Sequence, residues 1–114
     1  MPEVSVPDAR QLIDAGAQLI DVRTDVEYEA GRIPGSRHIP LADVQRESTS
    51  LDQGKPVILY CRAGNRSGPA ADAFAASGWD AYSIEGGLVA WNEARLELEP
   101  EGGSVAENPN MPPR

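Results

Sequence analysis

The residues from Pro56 to Tyr60 constrain the fold of this chain more than any other segment. Val57, Ile58, Leu59 and Tyr60 follow one another without an intervening polar side chain. A strand with one face in water alternates apolar and polar residues, whereas a continuous apolar run indicates burial on both faces. The sequence therefore predicts that this segment is a central strand of a parallel sheet covered on both sides.

Shorter apolar runs on both sides of this strand alternate with stretches that carry helix start and stop signals. We expect further strands at 18–22, within 32–40 and at 80–84. We expect a helix from the Ser5 N-cap to Gly16, one from the capping box of Thr24 and Glu27 to Gly31, and one that has Pro69 in its first turn and stops at Gly78. A last helix is expected over 88–96. Between the second and third of these helices we expect a short helix at 41–47 and a loop at 48–54. Such alternation is typical of an α/β fold.

Length and composition predict one domain followed by a tail. Of the 114 residues 40% are hydrophobic, and we place a single domain at 1–96. Residues 97–114 contain four prolines, two glycines and four acids. This composition buries too little apolar surface to offset the entropy of ordering, so we expect 97–114 to be a flexible C-terminal tail that the chemistry does not need.

The charge is acidic overall but basic in one segment. Eighteen acidic and ten basic residues give a net charge of −8, which disfavours nucleic acid or an anionic membrane as a partner. Residues 55–71 nevertheless carry three basic residues and no acid. A positive segment in an acidic chain favours a small anionic ligand.

The single cysteine, Cys61, follows the central strand and precedes a glycine-containing loop that leads into a helix. At such junctions successive backbone N–H groups converge, and the helix N-terminus adds partial positive charge. A thiolate gains from these dipoles and a neutral thiol does not, so we predict that Cys61 is the catalytic nucleophile. The expected substrate-binding or anion-binding residues are those of the loop, Arg62, Ala63, Gly64, Asn65, Arg66 and Ser67.

The simpler alternative is that Cys61 only fills the core, as free cysteines often do. A packing cysteine does not require a loop with two arginines directly after it, so the loop favours the nucleophile. One cysteine also excludes an internal disulfide, a Cys-x-x-Cys redox pair and a thiolate zinc cluster within these residues.

His38 is the only histidine, and no cysteine or acid cluster stands near it at ligand spacing. We therefore expect no metal site, no cofactor and no fixed Cys-His dyad. An unpaired thiol suits a reducing compartment. With neither a signal-peptide pattern nor a membrane-length apolar run, the sequence predicts a cytoplasmic protein that does not enter a membrane.

Four stretches in this order resemble the signatures of single-domain rhodaneses, the thiosulfate sulfurtransferase-like family. They are residues 19–23 with Glu27 and Tyr28, residues 31–40, residues 60–67, and residues 85–91 with Gly86, Gly87 and Trp91. The resemblance covers about residues 3–96. It implies a rhodanese-like α/β fold with a five-stranded, mainly parallel sheet and helices on both faces.

The resemblance also implies a sulfurtransferase of the thiosulfate:cyanide type. The Cys61 thiolate would take the outer sulfur of a small anionic donor such as thiosulfate and become a persulfide. Cyanide or a thiol would then remove that sulfur, the thiol being glutathione, thioredoxin or that of another protein. Loop amides and arginine side chains would hold the anions and stabilise their charge.

Other residues in and around the signatures bear on the surroundings of the site, on the donor and on the core. Asp21 and Arg23 are expected to form a structural pair near the loop, and with Arg32 they are candidates for a supporting shell around the site. Arg32 replaces a histidine that is frequent in the family. Ala63 replaces a lysine that helps some members to bind thiosulfate, which leaves the preferred donor open. Trp79 and Trp91 are expected to anchor the core.

Three other functions are compatible with parts of the pattern. A persulfide carrier or regulatory module would deliver sulfur to a protein partner and needs the same loop. An inert binding module could share the fold without turnover. A cysteine phosphatase or arsenate reductase resembles Cys-x5-Arg, whereas here position 67 is serine and the nearest arginine is Arg66.

Overall fold

The computed structural model describes residues 3–106 of the chain. Its strands are β1 (Glu3–Val4), β2 (Gln18–Asp21), β3 (Arg37–His38), β4 (Val57–Tyr60) and β5 (Ala81–Ile84). Its α-helices are α1 (Val6–Asp14), α2 (Asp25–Ala30), α3 (Ser67–Ala76) and α4 (Gly87–Glu93), and two 3-10 helices span Leu41–Asp43 and Arg46–Ser50.

The five strands form one sheet in the order β1-β5-β4-β2-β3, and every pairing within it is parallel. All four residues of β4 are buried and β4 lies in the middle of the sheet. The prediction from the continuous apolar run is therefore confirmed. Because all strands run the same way, their carboxyl ends meet at one edge of the sheet.

Helices cover both faces of the sheet, as expected. On one face Ala70, Ala71 and Phe74 of α3 pack against inward side chains of β2 and β4. On the other face α1 and α4 contribute Val6, Ala9, Leu88 and Trp91. Trp91 is buried and Trp79 packs against Phe74 with ring centroids 5.3 Å apart, so both tryptophans belong to the core.

The helix start signals are also found where they were expected. Ser5 Oγ accepts a hydrogen bond from the Asp8 amide at 3.3 Å. Thr24 and Glu27 form the reciprocal capping box of α2, with the Glu27 amide donating to Thr24 Oγ1 at 3.4 Å and the Thr24 amide donating to Glu27 Oε1 at 3.2 Å.

The structure corrects the expected elements in three places. In place of one helix over 41–47 and a loop over 48–54, it has the two 3-10 helices, the second of which continues to Ser50. The last helix ends at Glu93 rather than at residue 96, and Arg95 follows with a φ of 62°. The two-residue strand β1 has no sequence signal of its own, because so short an edge strand is defined by its pairing with β5.

Residues 97–106 contact the domain, although their composition predicts a flexible tail. Arg32 and Glu99 exchange backbone hydrogen bonds of 2.9 and 2.7 Å, and the Ser104 amide donates to the Ala30 carbonyl at 2.8 Å. Leu98 and Val105 pack on the cluster that contains Trp91. We call residues 97–106 the strap. Residues 107–114, the rest of the expected tail, lie outside the described residues, and the division of the chain at residue 96 stays a prediction.

The backbone of the strap lies in close contact with Gly31. The backbone of Gly31 is extended, with φ 175°, a conformation that any residue adopts. A Cβ at Gly31 would overlap the backbone of Ser104, and a Cβ at Gly103 would lie 3.2 Å from the Gly31 Cα. The glycine at position 31 is thus explained by the close approach of two backbones and not by its own conformation.

Removal of the strap should destabilise the domain. A variant that ends at Leu96 loses the backbone hydrogen bonds to Ala30 and Arg32 and the contacts of Leu98 and Val105. We expect its melting temperature to fall by about 5 °C or more, since each kcal/mol is worth about 4–8 °C in a domain of this size. A matched variant that ends at Ala106 keeps these contacts and should melt at a higher temperature than the variant that ends at Leu96. Equal melting temperatures for all three chains would contradict a docked strap. The measurement is thermal unfolding by circular dichroism.

Within residues 3–106, no helix is both long enough and apolar enough to cross a bilayer.

Candidate functional site

Cys61 lies at the carboxyl edge of the sheet, directly after β4, and the loop 61–66 leads from it into α3. The strand β2 ends nearby at Asp21, the register partner of Tyr60. β5 ends at Ile84, on the other side of β4. The parallel sheet therefore brings the loop and the ends of β2 and β5 together around one cysteine.

The loop folds its backbone amides around the sulfur of Cys61. The amide of Gly64 donates to Sγ at 3.1 Å, and the amides of Arg66 and Ser67 donate at 3.4 Å each. Gly64 has a φ of 102°, which an L-residue rarely adopts and which turns the loop back toward the sulfur. Three amide dipoles directed at one atom stabilise negative charge there, as in an oxyanion hole.

The start of α4 holds the loop in place from outside. The amides of Leu88 and Val89 donate to the carbonyls of Cys61 and Arg62 at 2.9 Å each. A Cβ at Gly87 would lie 2.7 Å from the Arg62 carbonyl oxygen, so only glycine allows this approach. The Gly86-Gly87 pair thus serves to dock α4 on the loop.

Arg66 forms an ion pair with Glu27 of α2. Its Nη1 and Nη2 donate to the two carboxylate oxygens of Glu27 at 2.8 and 2.9 Å. Glu27 is fully buried and the Arg66 side chain is 16% exposed. Burial alone would raise the pKa of Glu27, but the hydrogen bonds from Arg66 and Thr24 outweigh it and hold that pKa below its usual value. The hydrogen bonds that Arg66 donates to Glu27 raise the pKa of Arg66.

This pair changes the role expected of one arginine. Arg66 was expected to face the substrate anion, yet the carboxylate of Glu27 already takes its two terminal nitrogens. Its backbone amide, and not its guanidinium, is what reaches Cys61 Sγ. Nε of both arginines is buried without a hydrogen-bond partner among residues 3–106. Arg62 differs because, within the same residues, its terminal nitrogens have no carboxylate partner, whereas those of Arg66 are paired with Glu27. Of the two loop arginines, Arg62 is therefore the one whose guanidinium is not paired with a carboxylate in the described part of the chain.

The remaining loop residues surround the sulfur at longer range. Ser67 Oγ lies 3.5 Å from Sγ and hydrogen-bonds to Ser83 Oγ of β5 at 2.7 Å. Asn65 Oδ1 is 3.9 Å from Sγ. Cys61 itself is fully buried.

Asp21 and Arg23 form a buried ion pair below the loop. Arg23 donates to both oxygens of Asp21, from Nε at 2.9 Å and from Nη2 at 2.7 Å, and both side chains are fully buried. Arg23 Nη2 also donates to the Gly31 carbonyl at 2.7 Å. These contacts link the end of β2 to the end of α2. A role for the pair in the site itself stays a prediction.

Arg32 contacts α2 and the strap. Its guanidinium lies 4.5 Å from the centre of the Tyr28 ring and 3.7 Å from a carboxylate oxygen of Glu99. Tyr28 in turn stacks on His38 with centroids 4.4 Å apart, and His38 Nε2 donates to the Arg23 carbonyl at 2.7 Å. His38 is thus held by a ring and a carbonyl, and residues 3–106 contain no cluster of three metal-ligating side chains.

Glu27 and Ser83 are the site residues that the sequence did not predict. The capping box of α2 already accounts for a glutamate at position 27, so the sequence alone does not indicate its second role as the partner of Arg66. A signal was present, since arginines beside a buried strand end favour an acidic partner and none stands between residues 53 and 71. For Ser83, a serine in an otherwise apolar strand was the only signal.

Comparison with known proteins agrees with this geometry. The family model described as Rhodanese-like domain matches residues 5–94. Thiosulfate sulfurtransferase GlpE of Pseudomonas paraeruginosa is 38% identical over 89 residues, which are 77% of this chain and 81% of that protein. A rhodanese-related protein from Thermoplasma volcanium superposes with a TM-score of 0.79 at 26% identity, covering 86% of this chain and 97% of that structure.

Two relatives from Bacillus subtilis are longer than the matched region. Uncharacterized protein YqhL is 42% identical over 76 residues, which are 66% of this chain and 60% of that protein. The putative sulfur carrier protein YrkF is 37% identical over 73 residues, which are 62% of this chain and 40% of that protein. With the family model matched over most of the chain, the fold in agreement and relatives among sulfurtransferases, the chain belongs to the Rhodanese-like domain family.

Proposed function

We propose that this protein is a sulfurtransferase that moves a sulfane sulfur from a small anionic donor, such as thiosulfate, to a thiophilic acceptor through a Cys61 persulfide. The observation that carries the proposal is the set of three backbone amides on Cys61 Sγ. These amides favour an anionic sulfur and give little to a neutral one.

In the first half-reaction the Cys61 thiolate attacks the outer sulfur of the donor. A bond forms between Sγ and that sulfur, the sulfur–sulfur bond of thiosulfate breaks, and sulfite leaves with the electron pair. The guanidinium of Arg62 and the loop amides bind the anionic donor and the departing sulfite. Arg66 acts through its amide, because its guanidinium is paired with Glu27.

In the second half-reaction an acceptor nucleophile attacks the outer persulfide sulfur. Its bond to that sulfur forms as the bond to Sγ breaks, and Cys61 leaves as the thiolate with the electron pair. Cyanide would give thiocyanate, and a thiol acceptor such as glutathione, thioredoxin or another protein thiol would give a persulfide. We place this chemistry in the cytoplasm, where thiols stay reduced.

A persulfide carrier that serves a protein partner is the second candidate, and the similarity to the putative sulfur carrier YrkF favours it. Its first half-reaction is the same. The two functions differ in the acceptor, so the ratio of discharge by small thiols to discharge by protein thiols separates them. A cysteine phosphatase or arsenate reductase is disfavoured, since Ser67 stands where those enzymes have the phosphate-gripping arginine.

The test is mass spectrometry of the intact protein after mixing with thiosulfate in the absence of an acceptor. We expect a species heavier by one sulfur atom, on the peptide that contains Cys61. It should persist, because the sequence has no second cysteine to resolve it, and cyanide should return the original mass.

The matched control is the same mixture with Cys61→Ser, which should gain no mass. A phosphatase or an inert binding module would gain none in either protein. Unchanged mass in the parent protein would therefore overturn the proposed function.

A further inference from the structure

A chain of two hydroxyl groups reaches Cys61 from the interior of the sheet. Ser67 Oγ lies 3.5 Å from Cys61 Sγ, and Ser83 Oγ lies 2.7 Å from Ser67 Oγ. Both serines are fully buried. Ser67 begins α3 and Ser83 belongs to β5, so the chain joins two elements beneath the nucleophile.

Folding alone does not explain a serine at position 83. Ser83 is the register partner of Leu59 in the buried strand β4, and Ile84 beside it is also fully buried. A hydroxyl in such surroundings costs free energy unless it is hydrogen-bonded, and an alanine would not bear that cost. Among the described residues, the hydrogen bond recorded for the Ser83 side chain is the one with Ser67.

The charge on Cys61 decides which way these hydrogen bonds run. A thiolate can only accept, so the Ser67 hydroxyl must donate its single hydrogen to Sγ. Its oxygen is then free to accept from Ser83, and the order is Ser83 to Ser67 to Sγ. Hydrogen bonds in series polarise one another, so the second hydroxyl strengthens the first.

We infer that Ser83 is a positioning residue that directs the Ser67 hydroxyl onto the Cys61 thiolate. The inference deepens the proposed function and rests on it, since it takes the thiolate as the reacting form. The same arrangement serves both half-reactions, because Cys61 attacks as a thiolate in the first and departs as a thiolate in the second. Ser83 lies behind the sulfur, on β5, and needs no contact with donor or acceptor.

The test measures the alkylation rate of Cys61 by iodoacetamide, which does not depend on any sulfur donor. In Ser83→Ala we expect the rate at neutral pH to fall about three- to tenfold, the effect of one lost hydrogen bond. Ser83→Thr keeps the hydroxyl and should keep most of the rate.

A double-mutant cycle separates this role from simple packing. Ser67→Ala should lower the rate, and adding Ser83→Ala should lower it little further, because Ser83 acts through Ser67. Ser36→Ala is the matched control. It removes the Ser36 hydroxyl, which accepts a hydrogen bond from the Tyr60 hydroxyl of β4 at 3.0 Å. This variant should leave the alkylation rate unchanged.

An unchanged alkylation rate in Ser83→Ala would overturn the inference, and so would independent effects of Ser83→Ala and Ser67→Ala. Either result leaves the proposed function intact if the thiosulfate adduct forms. The converse result is a protein that forms no thiosulfate adduct while Ser83→Ala and Ser67→Ala still lower the alkylation rate in a coupled way. In that case the inference about Ser83 stands and the proposed function fails.

Discussion

Cys61→Ser should abolish thiosulfate:cyanide sulfurtransfer while the protein stays folded. Serine keeps nearly the volume of cysteine, so the buried site beneath the loop should retain its packing. The hydroxyl is nevertheless a poor nucleophile at neutral pH, and the three amides cannot generate an alkoxide in place of a thiolate. We expect the rate to fall by about three orders of magnitude or more, as for other enzymes that lose their nucleophile.

The measurement is thiocyanate formation from thiosulfate and cyanide, with melting temperature as the measure of folding. Ser36→Ala is again the control for the loss of a hydroxyl near β4, and it should keep the rate. If Cys61→Ser still forms thiocyanate, sulfur transfer in this protein does not pass through Cys61. A loss of folding instead would mean that the thiol is needed for packing, which is the core-filler alternative.

The sequence predicted the architecture well because its strongest signals are local. The unbroken apolar run at Val57–Tyr60 can only be satisfied by burial on both faces, and caps such as Ser5 and Thr24 fix helix starts within a few residues. The 3-10 segments after residue 40 were harder. Their hydrogen bonds span three residues, and few apolar side chains there mark a period.

The contacts between distant segments are what the sequence could not predict. Gly31 reads as a helix stop, and only the structure places Ser104 against it. Composition predicts the flexibility of residues 97–106 as an isolated segment. Their conformation in the protein depends instead on contacts with Ala30, Arg32 and Trp91. Glu27 is similar, because its partner Arg66 lies 39 residues further along the chain.

Glu27→Gln should cost the protein much of its stability. The substitution keeps the shape of the side chain but removes the charge that Arg66 faces, so a largely buried guanidinium loses its carboxylate. Breaking one partner of a buried ion pair costs about 3–5 kcal/mol, and we expect the lower end because the Arg66 side chain keeps 16% of its surface exposed. Urea denaturation at pH 7 measures the loss. Glu29→Gln, an exposed neighbour on α2, should change little.

Glu27→Gln should also disturb the loop that surrounds Cys61. Arg66 contributes its amide to Cys61 Sγ, and the pair with Glu27 fixes where that amide stands. We therefore expect Glu27→Gln to lower kcat/KM for thiosulfate even under conditions where the variant is fully folded. A double variant with Arg66→Met should be less destabilised than the sum of its two single changes, since it leaves no unmatched charge. Additive losses would mean that the two side chains do not interact in solution.

The pH dependence of the unfolding free energy tests independently whether the Glu27 carboxylate stabilises the folded protein. The pKa of Glu27 is lower in the folded protein than in the unfolded chain, where a glutamate titrates near about 4.3. Its contribution is therefore complete above that pH and is lost as the pH falls through the folded value. The difference in unfolding free energy between the parent protein and Glu27→Gln should stay constant from pH 7 to about 5 and shrink below about 4.3. A difference that is unchanged at pH 3 would show that glutamine disrupts packing rather than charge, and the carboxylate would no longer explain why Arg66 lies where it does.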